Sequence, residues 1–192
     1  MHKGTIFSIN NYQLQPLTVD LQEKMEMIFD GLQRIFSNEH VIKFNRNRHL
    51  PKKADVSRYF LSTVAGYQNE THFDYFLIDR VNDRLAGTMH LISPKLIKQS
   101  YPLLNYFIDN NRNNSSTWVI EFYLDPLYWN KGIMSYFLGK MIEELFIQKV
   151  TNICAFTNSA NLPSISLLKK FSFKLIDNYK DTSGQILWNL KH

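Results

Sequence analysis

The sequence predicts an α/β fold, and three observations carry that expectation. Short apolar runs alternate with longer stretches whose apolar residues recur at helical spacing, the pattern of strands interleaved with helices. One run, Trp118 to Leu124, is apolar apart from Glu121, stops at Asp125-Pro126, and is followed by a short loop that opens a helix at Lys131-Gly132. The chain has 192 residues, 44% hydrophobic and 14% aromatic, enough for one packed core and rather few for two.

Taken in order, Tyr12 to Leu17 reads as a first strand ending at Pro16. Thr18 or Asp20 can cap the next helix, with Glu23 three residues after Asp20 as in a capping box. Leu21, Met25, Ile28, Leu32 and Ile35 then recur at helical spacing up to about Phe36, which makes that stripe core. Lys43 to Lys53, with Arg46, Arg48 and Lys52, reads as a solvated basic loop. Asp55 or Ala54 begins a second helix with Val56, Tyr59, Phe60 and Val64 inward and Gly66 as its stop. A hairpin follows: Phe73 to Asp79, a turn at Val81-Asn82-Asp83-Arg84, and Leu85 to Ile92. Gly87 marks a bulge or a close backbone approach, and His90 reads as structural rather than catalytic.

Residues 93–116 make a long connection. Pro94 to Ile108 is apolar enough for one or two helical turns, interrupted at Pro102, and Asn110 to Ser116 is a polar, turn-rich loop. Connections of this length are usually functional or disordered. After it, Trp118 to Leu124 is expected to be a strand buried on both faces. A helix from Lys131 to Gln148, a strand from Val150 to Thr157 and a helix from Ala160 to Phe171 follow, the last capped by Asn158 or Ser159 with Pro163 in its first turn. Phe173 to Ile176 and Gln185 to Leu190 form a closing hairpin around Asp181-Thr182-Ser183-Gly184. No internal repeat or domain boundary interrupts the chain, so a single domain over residues 1–192 is expected.

No apolar run approaches membrane-spanning length, and the first residues lack the apolar core of a signal peptide. The one cysteine, Cys154, cannot form an internal disulfide, so a cytoplasmic protein without membrane contact is expected. Cys154 lies in the apolar run Ile153 to Phe156 and reads as buried filler rather than a nucleophile. The net charge of +5 and pI near 9.2 favour anionic partners without choosing among a phosphorylated cofactor, nucleic acid and the ribosome.

The chemistry is concentrated between Leu124 and Phe173. At Lys131-Gly132 the unpaired N–H groups and the positive end of a helix dipole suit an anion such as a pyrophosphate. Many α/β proteins share such a strand, loop and helix. A second segment follows, Asn161-Leu162-Pro163-Ser164 through Lys170-Phe171-Ser172-Phe173. Together these resemble the GCN5-related N-acetyltransferase (GNAT) superfamily, whose coenzyme A loop reads Arg/Gln-x-x-Gly-x-Gly/Ala. More narrowly, Leu124-Asp-Pro126-Leu-Tyr128-Trp129-Asn130-Lys131-Gly132 is similar to the "L-x-P-x-Y-W-G-K-G" of the RimJ/RimL-like branch, and the second segment to its "N-x-x-S…E-K-L-G-F". This chain departs from the superfamily loop at Trp129, where Arg or Gln is usual and Trp is common in this branch, at Met134, where a small residue is usual, and at Ser172, where glycine is.

The resemblance implies a mixed, mostly antiparallel sheet of six to seven strands flanked by about four helices, with a cofactor cleft between the fourth and fifth strands, here Trp118–Leu124 and Val150–Thr157. It implies transfer of an acetyl group from acetyl-CoA to a primary amine, at a protein N-terminus or on a small molecule, without a metal. A non-catalytic module that binds coenzyme A or nucleic acid is the reading of another class. The pyrophosphate would fall to the loop Trp129, Asn130, Lys131, Gly132, Ile133 and Met134, through backbone N–H groups from Asn130 onward, with the Ser135 hydroxyl donating. Asn161 and Ser164 would contact the pantetheine arm, and the backbone of Tyr123 and Leu124 would admit it. Glu121 is the general base by this resemblance, its proton affinity raised by burial in an apolar strand. The tyrosine that often protonates the departing thiolate is replaced by Leu168, leaving Ser164 or water. Tyr123, Tyr128 and Tyr136 lie near in sequence, and nothing in it selects among them. The basic loop would border the acceptor, favouring a neutral or acidic one over a polyamine. The apolar half of 93–116 would cover the acceptor pocket or form a homodimer contact, or else be a surface excursion with its own small core.

Overall fold

The computed structural model describes residues 5–17, 23–44, 49–100, 104, 116–180 and 184–192. Along the chain it forms β1 (Phe7–Ile9), β2 (Tyr12–Pro16), α1 (Met25–Ser37), α2 (Glu39–Ile42), α3 (Lys53–Gln68), β3 (His72–Asp79), β4 (Arg84–Ile92) and α4 (Pro94–Ser100). Then come β5 (Thr117–Leu124), a 3-10 turn (Pro126–Tyr128), α5 (Ile133–Ile147), β6 (Asn152–Asn158), α6 (Leu162–Lys170), β7 (Lys174–Lys180) and β8 (Gln185–Lys191). The strands make one sheet in the order β1-β2-β3-β4-β5-β6-β8-β7. Among the described residues only the β5–β6 pair is parallel. The mixed, mostly antiparallel α/β sheet is therefore as expected, with the three-residue β1 and the short α2 added, and α4 supplies the helical turns expected after Pro94.

Both faces of the sheet are covered. On one, Ile28, Leu32, Ile35 and Phe36 of α1 and Val56 of α3 pack on Phe76, Ile78 and Leu85. The sequence stripe of α1 is thus core from Ile28 on. On the other, Phe137, Leu138, Met141 and Leu145 of α5 pack on strand residues such as Leu77, Met89, Leu91 and Ile153. Each such side chain, removed from water, contributes about 1.5–3 kcal/mol. A satellite cluster joins Ile97 and Leu104 of the long connection to Ile92, Val119, Cys154 and Leu187. Cys154 is filler there: burial pushes its thiol up to about 11, against a weaker opposing contact from the Asn189 amide.

Several local expectations are corrected. Gly66 does not stop α3, which runs on to Gln68. A Cβ at Gly66 would lie 2.0 Å from the His72 ring, so this glycine lets the helix sit close to β3. The helix starts earlier than read, at Lys53, where the Lys52 N–H donates to the Asp55 carboxylate at 3.1 Å. The last helix is capped by Asn161, whose side chain accepts from the Ser164 N–H at 3.3 Å, and not by Asn158 or Ser159. Helix α5 opens at Ile133 rather than Lys131, since Asn130 and Gly132 hold left-handed φ values of 60° and 73°. Glycine needs no compensation there, and asparagine is among the side chains that tolerate it. Gly87 serves both of its expected roles. The β3–β4 register shifts beside it, leaving Ala86 as the extra residue, and a Cβ at Gly87 would lie 2.4 Å from the Tyr123 carbonyl oxygen. The expected caps Thr18 and Asp20, the stripe residue Leu21, Arg46 and Arg48 of the basic loop, the polar loop 110–115 and the turn residues 181–183 lie outside the described residues.

Candidate active site

β5 and β6 pair only at their N-terminal ends, where Thr117, Trp118 and Val119 face Asn152, Ile153 and Cys154. Beyond that point each strand keeps its other neighbour, β5 holding β4 as far as Leu124 opposite Gly87 and β6 holding β8 as far as Asn158 opposite Gln185. The sheet therefore opens along one seam, and a cavity of about 690 Å³ fills the opening. This corrects the reading of Trp118–Leu124 as buried on both faces. From Glu121 to Leu124 every side chain is only half-buried, because β6 has moved away.

The loop that leaves β5 is anchored from three directions. Asp125, 3% exposed, accepts from Arg34 Nε of α1 at 2.7 Å and from the Leu127 N–H at 3.0 Å, with Arg84 of β4 at 3.4 Å. Its own N–H donates to the carbonyl oxygen of Ala86, the bulged residue, at 2.8 Å, and Arg34 also donates to the Leu85 carbonyl oxygen at 2.7 Å. Burial pushes the Asp125 carboxyl up, but the Arg34 and Leu127 donors and the two guanidinium charges outweigh it, so its pKa lies below the ordinary value.

The loop delivers an uncapped helix start to the mouth of the cavity. Gly132 at the α5 N-cap has no side chain to satisfy the N–H groups that follow, and nothing lies within 4 Å of where its Cβ would be. Ser135 lines the cavity at this end, and its hydroxyl accepts from Lys170 Nζ at 2.7 Å, leaving its own proton free to donate. Lys131 lies with Nζ 5.3 Å from the centre of the Tyr128 ring. The bulk of Met134 does not fill the mouth, because its side chain is 7% exposed and belongs to the core beneath α5. Ser172 takes glycine's place by adopting glycine's conformation, φ 64°, while the N–H groups of Ser172 and Phe173 close α6 on Lys169 and Leu168 carbonyls.

At the other end of the cavity stand Glu121 and Tyr123 of β5, with the Tyr123 hydroxyl 3.5 Å from Glu121 Oε2. His40 and Val41 of α2 and Phe44 border them, and His40 meets the Trp129 ring edge to face at 6.3 Å. Trp129 is fixed by its indole N–H, which donates to the Leu124 carbonyl oxygen at 2.8 Å. Gln185 of β8 donates to the Phe44 carbonyl oxygen at 3.2 Å, joining the two rims. Glu121 is half-buried on the cavity wall rather than sealed among apolar groups, so the burial invoked for it in the sequence is not there.

Of the residues singled out from sequence, Glu121, Tyr123, Leu124, Trp129, Asn130, Gly132, Ile133, Met134, Ser135, Asn161 and Ser164 all line the cavity. Lys131 is exposed beside it and is not among the lining residues. Leu168 is wholly buried in the core. Among the three nearby tyrosines, Tyr128 donates to Asp79 at 3.1 Å and Tyr136 to the Ser8 carbonyl oxygen at 3.2 Å, so Tyr123 is the one whose hydroxyl lies beside Glu121. Burial first, and then Asp79, push Tyr128 up to about 12. The sequence left Lys170, His40, Phe44 and Gln185 without a role. Lys170 had a signal, a basic residue ending the helix that follows the Asn-x-x-Ser segment; the other three come from elements with no pattern that points to the seam. Among the described residues no cluster of His, Cys, Asp and Glu is placed to hold a metal, and no helix is long and apolar enough to cross a membrane.

Comparison with known families and structures gives consistent findings. The family model described as the acetyltransferase (GNAT) domain matches residues 24–174. No curated protein sequence matches. Among solved structures, the ribosomal-protein-S5-alanine acetyltransferase of Vibrio fischeri superposes with a TM-score of 0.64 at 18% identity, over 97% of this chain and 96% of that one. RimL, a ribosomal L7/L12 α-N-protein acetyltransferase in complex with coenzyme A, gives 0.69 at 10% identity over 97% and 98%. The aminoglycoside acetyltransferase AAC(6')-Ib, also in complex with coenzyme A, gives 0.65 at 17% identity over 94% and 95%. At these identities the structures establish a shared fold.

Proposed function

The chain belongs to the GNAT acetyltransferase family, and from that premise we propose that it is an acetyl-CoA-dependent N-acetyltransferase of the RimJ/RimL-like kind. Its acceptor in this reading is a primary amine, at a protein N-terminus or similar. The observation that carries the proposal is the seam itself: an opening between β5 and β6 with an uncapped helix start at one end and one carboxylate at the other.

Three features of the chain fit coenzyme A. The α5 N-terminus, open above Gly132, offers N–H groups and a positive dipole end to a pyrophosphate, with Lys170 at Ser135 adding a cation. The volume is that of a pocket for a molecule of drug size or larger. Asn161, whose Oδ1 is committed to capping α6, keeps its amide N–H groups for the pantetheine arm, and Ser164 stands beside it on the cavity wall.

Acetyl-CoA supplies the acetyl group as a thioester. The residues of this chain do the rest. Backbone at Tyr123 and Leu124, released from β6, orients the thioester arm and polarises its carbonyl. Glu121 takes the proton that the acceptor ammonium must lose before it attacks. The Ser164 hydroxyl, or water on it, returns a proton to the departing sulfur.

The wall favours an acceptor with one positive charge. Glu121 is the one carboxylate among the lining residues, and Phe44, Tyr123, Trp129, Phe156 and Tyr179 supply apolar surface. An amine carried next to an apolar group is matched there; a polycation would find one counter-charge and several desolvated ammonium groups. Turnover with acetyl-CoA should be assayed on a peptide with a free N-terminal alanine, on phenethylamine and on spermidine. We expect acetylation of the first two and a kcat/KM at least tenfold lower for spermidine, roughly 1.4 kcal/mol of discrimination. Efficient acetylation of spermidine contradicts the acceptor reading, and no transfer to any amine contradicts the enzymatic one.

A further inference from the structure

The face of the sheet under α1 and α3 carries the apolar Phe76, Ile78 and Leu85, and also one row of ionisable side chains. Asp74 of β3 pairs in register with His90 of β4, and His90 with Glu121 of β5, so the three side chains lie side by side across adjacent strands. Paired residues of this kind hold their Cβ atoms about 5 Å apart. His90 is 1% exposed and Asp74 3%.

The polar side-chain atoms of Asp74 and His90 all meet partners. His90 Nδ1 bonds the Asp74 carboxylate, whose other oxygen accepts from the buried Thr63 hydroxyl of α3. His90 Nε2 faces the Thr88 hydroxyl at 3.0 Å, and the Tyr59 hydroxyl of α3 sits 3.2 Å from Nδ1 and 3.4 Å from Nε2. The His90 ring then meets the Tyr123 ring at 5.6 Å between centroids, Phe36 holds the same tyrosine at 4.9 Å, and the Tyr123 hydroxyl donates toward Glu121.

Stability alone does not account for this row. Burying an acid and an imidazole costs free energy that their pairing only returns, and well-packed apolar residues of the same volume commonly do as well. Position accounts for it. The network runs from α3 through Asp74 and His90 to Tyr123 and ends on the proposed base. A carboxylate behind an imidazole fixes the ring's orientation, and a fixed ring fixes what packs on it.

We propose that Asp74 and His90 are positioning residues for Glu121, holding it through Tyr123 at the angle from which it can take the acceptor's proton. The inference rests on Glu121 as the base. It goes beyond the reading above because neither residue lines the cavity or can touch the substrates.

The test is a double-mutant cycle on the full chain, with acetyl-CoA and the alanine peptide as probes. Asp74→Asn should lower kcat about tenfold while the Kd for acetyl-CoA stays within about twofold, and in the Glu121→Gln background the same change should cost less than about twofold. An equal loss in both backgrounds shows a structural role and overturns the proposal. Full turnover by Glu121→Gln alone overturns the base assignment, and this inference with it. Tyr59→Phe, which keeps the ring and removes one hydroxyl from His90, repeats the cycle should Asp74→Asn fail to fold. A readout independent of turnover is the 19F resonance of 3-fluorotyrosine placed at position 123. It should shift and broaden in either variant, and an unchanged resonance contradicts the proposal.

Discussion

The two halves of β5 present a contrast within a single strand. Thr117 to Val119 pair with β6, Val119 with β4 as well, and Val119 disappears into the satellite core with Cys154 opposite it. Ile120 to Leu124 pair on one side only, and their side chains line the cavity. Eight consecutive residues thus pass from scaffold to site, all of them apolar or aromatic but Thr117 and Glu121. Composition does not separate the halves. What separates them is β6, which pairs with the first half and not the second, while β4 holds the open half of β5 and β8 holds β6.

If the contrast is sound, substitutions in the open half should change rate and leave stability alone, and those in the paired half should do the reverse. The largest effect expected is on chemistry: Glu121→Gln should lower kcat by roughly 100- to 1,000-fold with an unchanged melting temperature, read by steady-state assay and thermal denaturation. Opposite the paired half, at Ile153 of β6, Ile153→Ala should cost about 3 kcal/mol in urea denaturation while the Kd for acetyl-CoA is kept. The anchor of the loop that leaves β5 is next. Arg34→Ala takes the closest donor from Asp125 and should cost about 2 kcal/mol near neutral pH.

That third effect has a pH signature. A carboxyl whose folded pKa is depressed contributes stability above its unfolded value, about 3.9 for aspartate, and loses it as the pH falls through the lower folded value. Urea midpoints measured from pH 6 down to pH 2 should therefore fall less steeply in Arg34→Ala than in the parent protein, because Asp125 has less left to lose. The smallest effect concerns the far end of the cavity. Lys170→Ala removes the cation at Ser135 and should weaken acetyl-CoA about fivefold at low salt, and less at high salt, where screening replaces it. Calorimetry at two ionic strengths checks both parts.

Much of the fold could be read from periodicity and turn residues. The α1 stripe, the hairpin at Asp83 and the helix after Gly132 all announce themselves locally, and the position of the seam followed from the family resemblance. The misread details depended on what packs against what. Gly66 looks like a helix stop until His72 is seen beneath it. Ser172 and Asn130 stand where the family's motif has glycine, but both keep glycine's left-handed backbone. Met134 seemed too large for the phosphate end because its direction, into the core, is set by the helix phase relative to the sheet. The half-exposure of Glu121 depends on where β6 stops pairing, which no residue of β5 encodes. The end of the cavity at Glu121 drew residues from α2, from Phe44 after it and from β8, far apart in sequence, so the meeting of Phe44 and Gln185 carried no local signal.

The most direct measurement is a calorimetric titration of the purified protein with acetyl-CoA, run beside Ser135→Asp. We predict micromolar affinity for the parent chain, roughly −8 kcal/mol, and at least about tenfold weaker binding when a carboxylate replaces the hydroxyl at the α5 N-terminus. Absence of binding by the parent protein at millimolar acetyl-CoA, or equal affinity in the two proteins, would contradict the assignment of the seam as the coenzyme site.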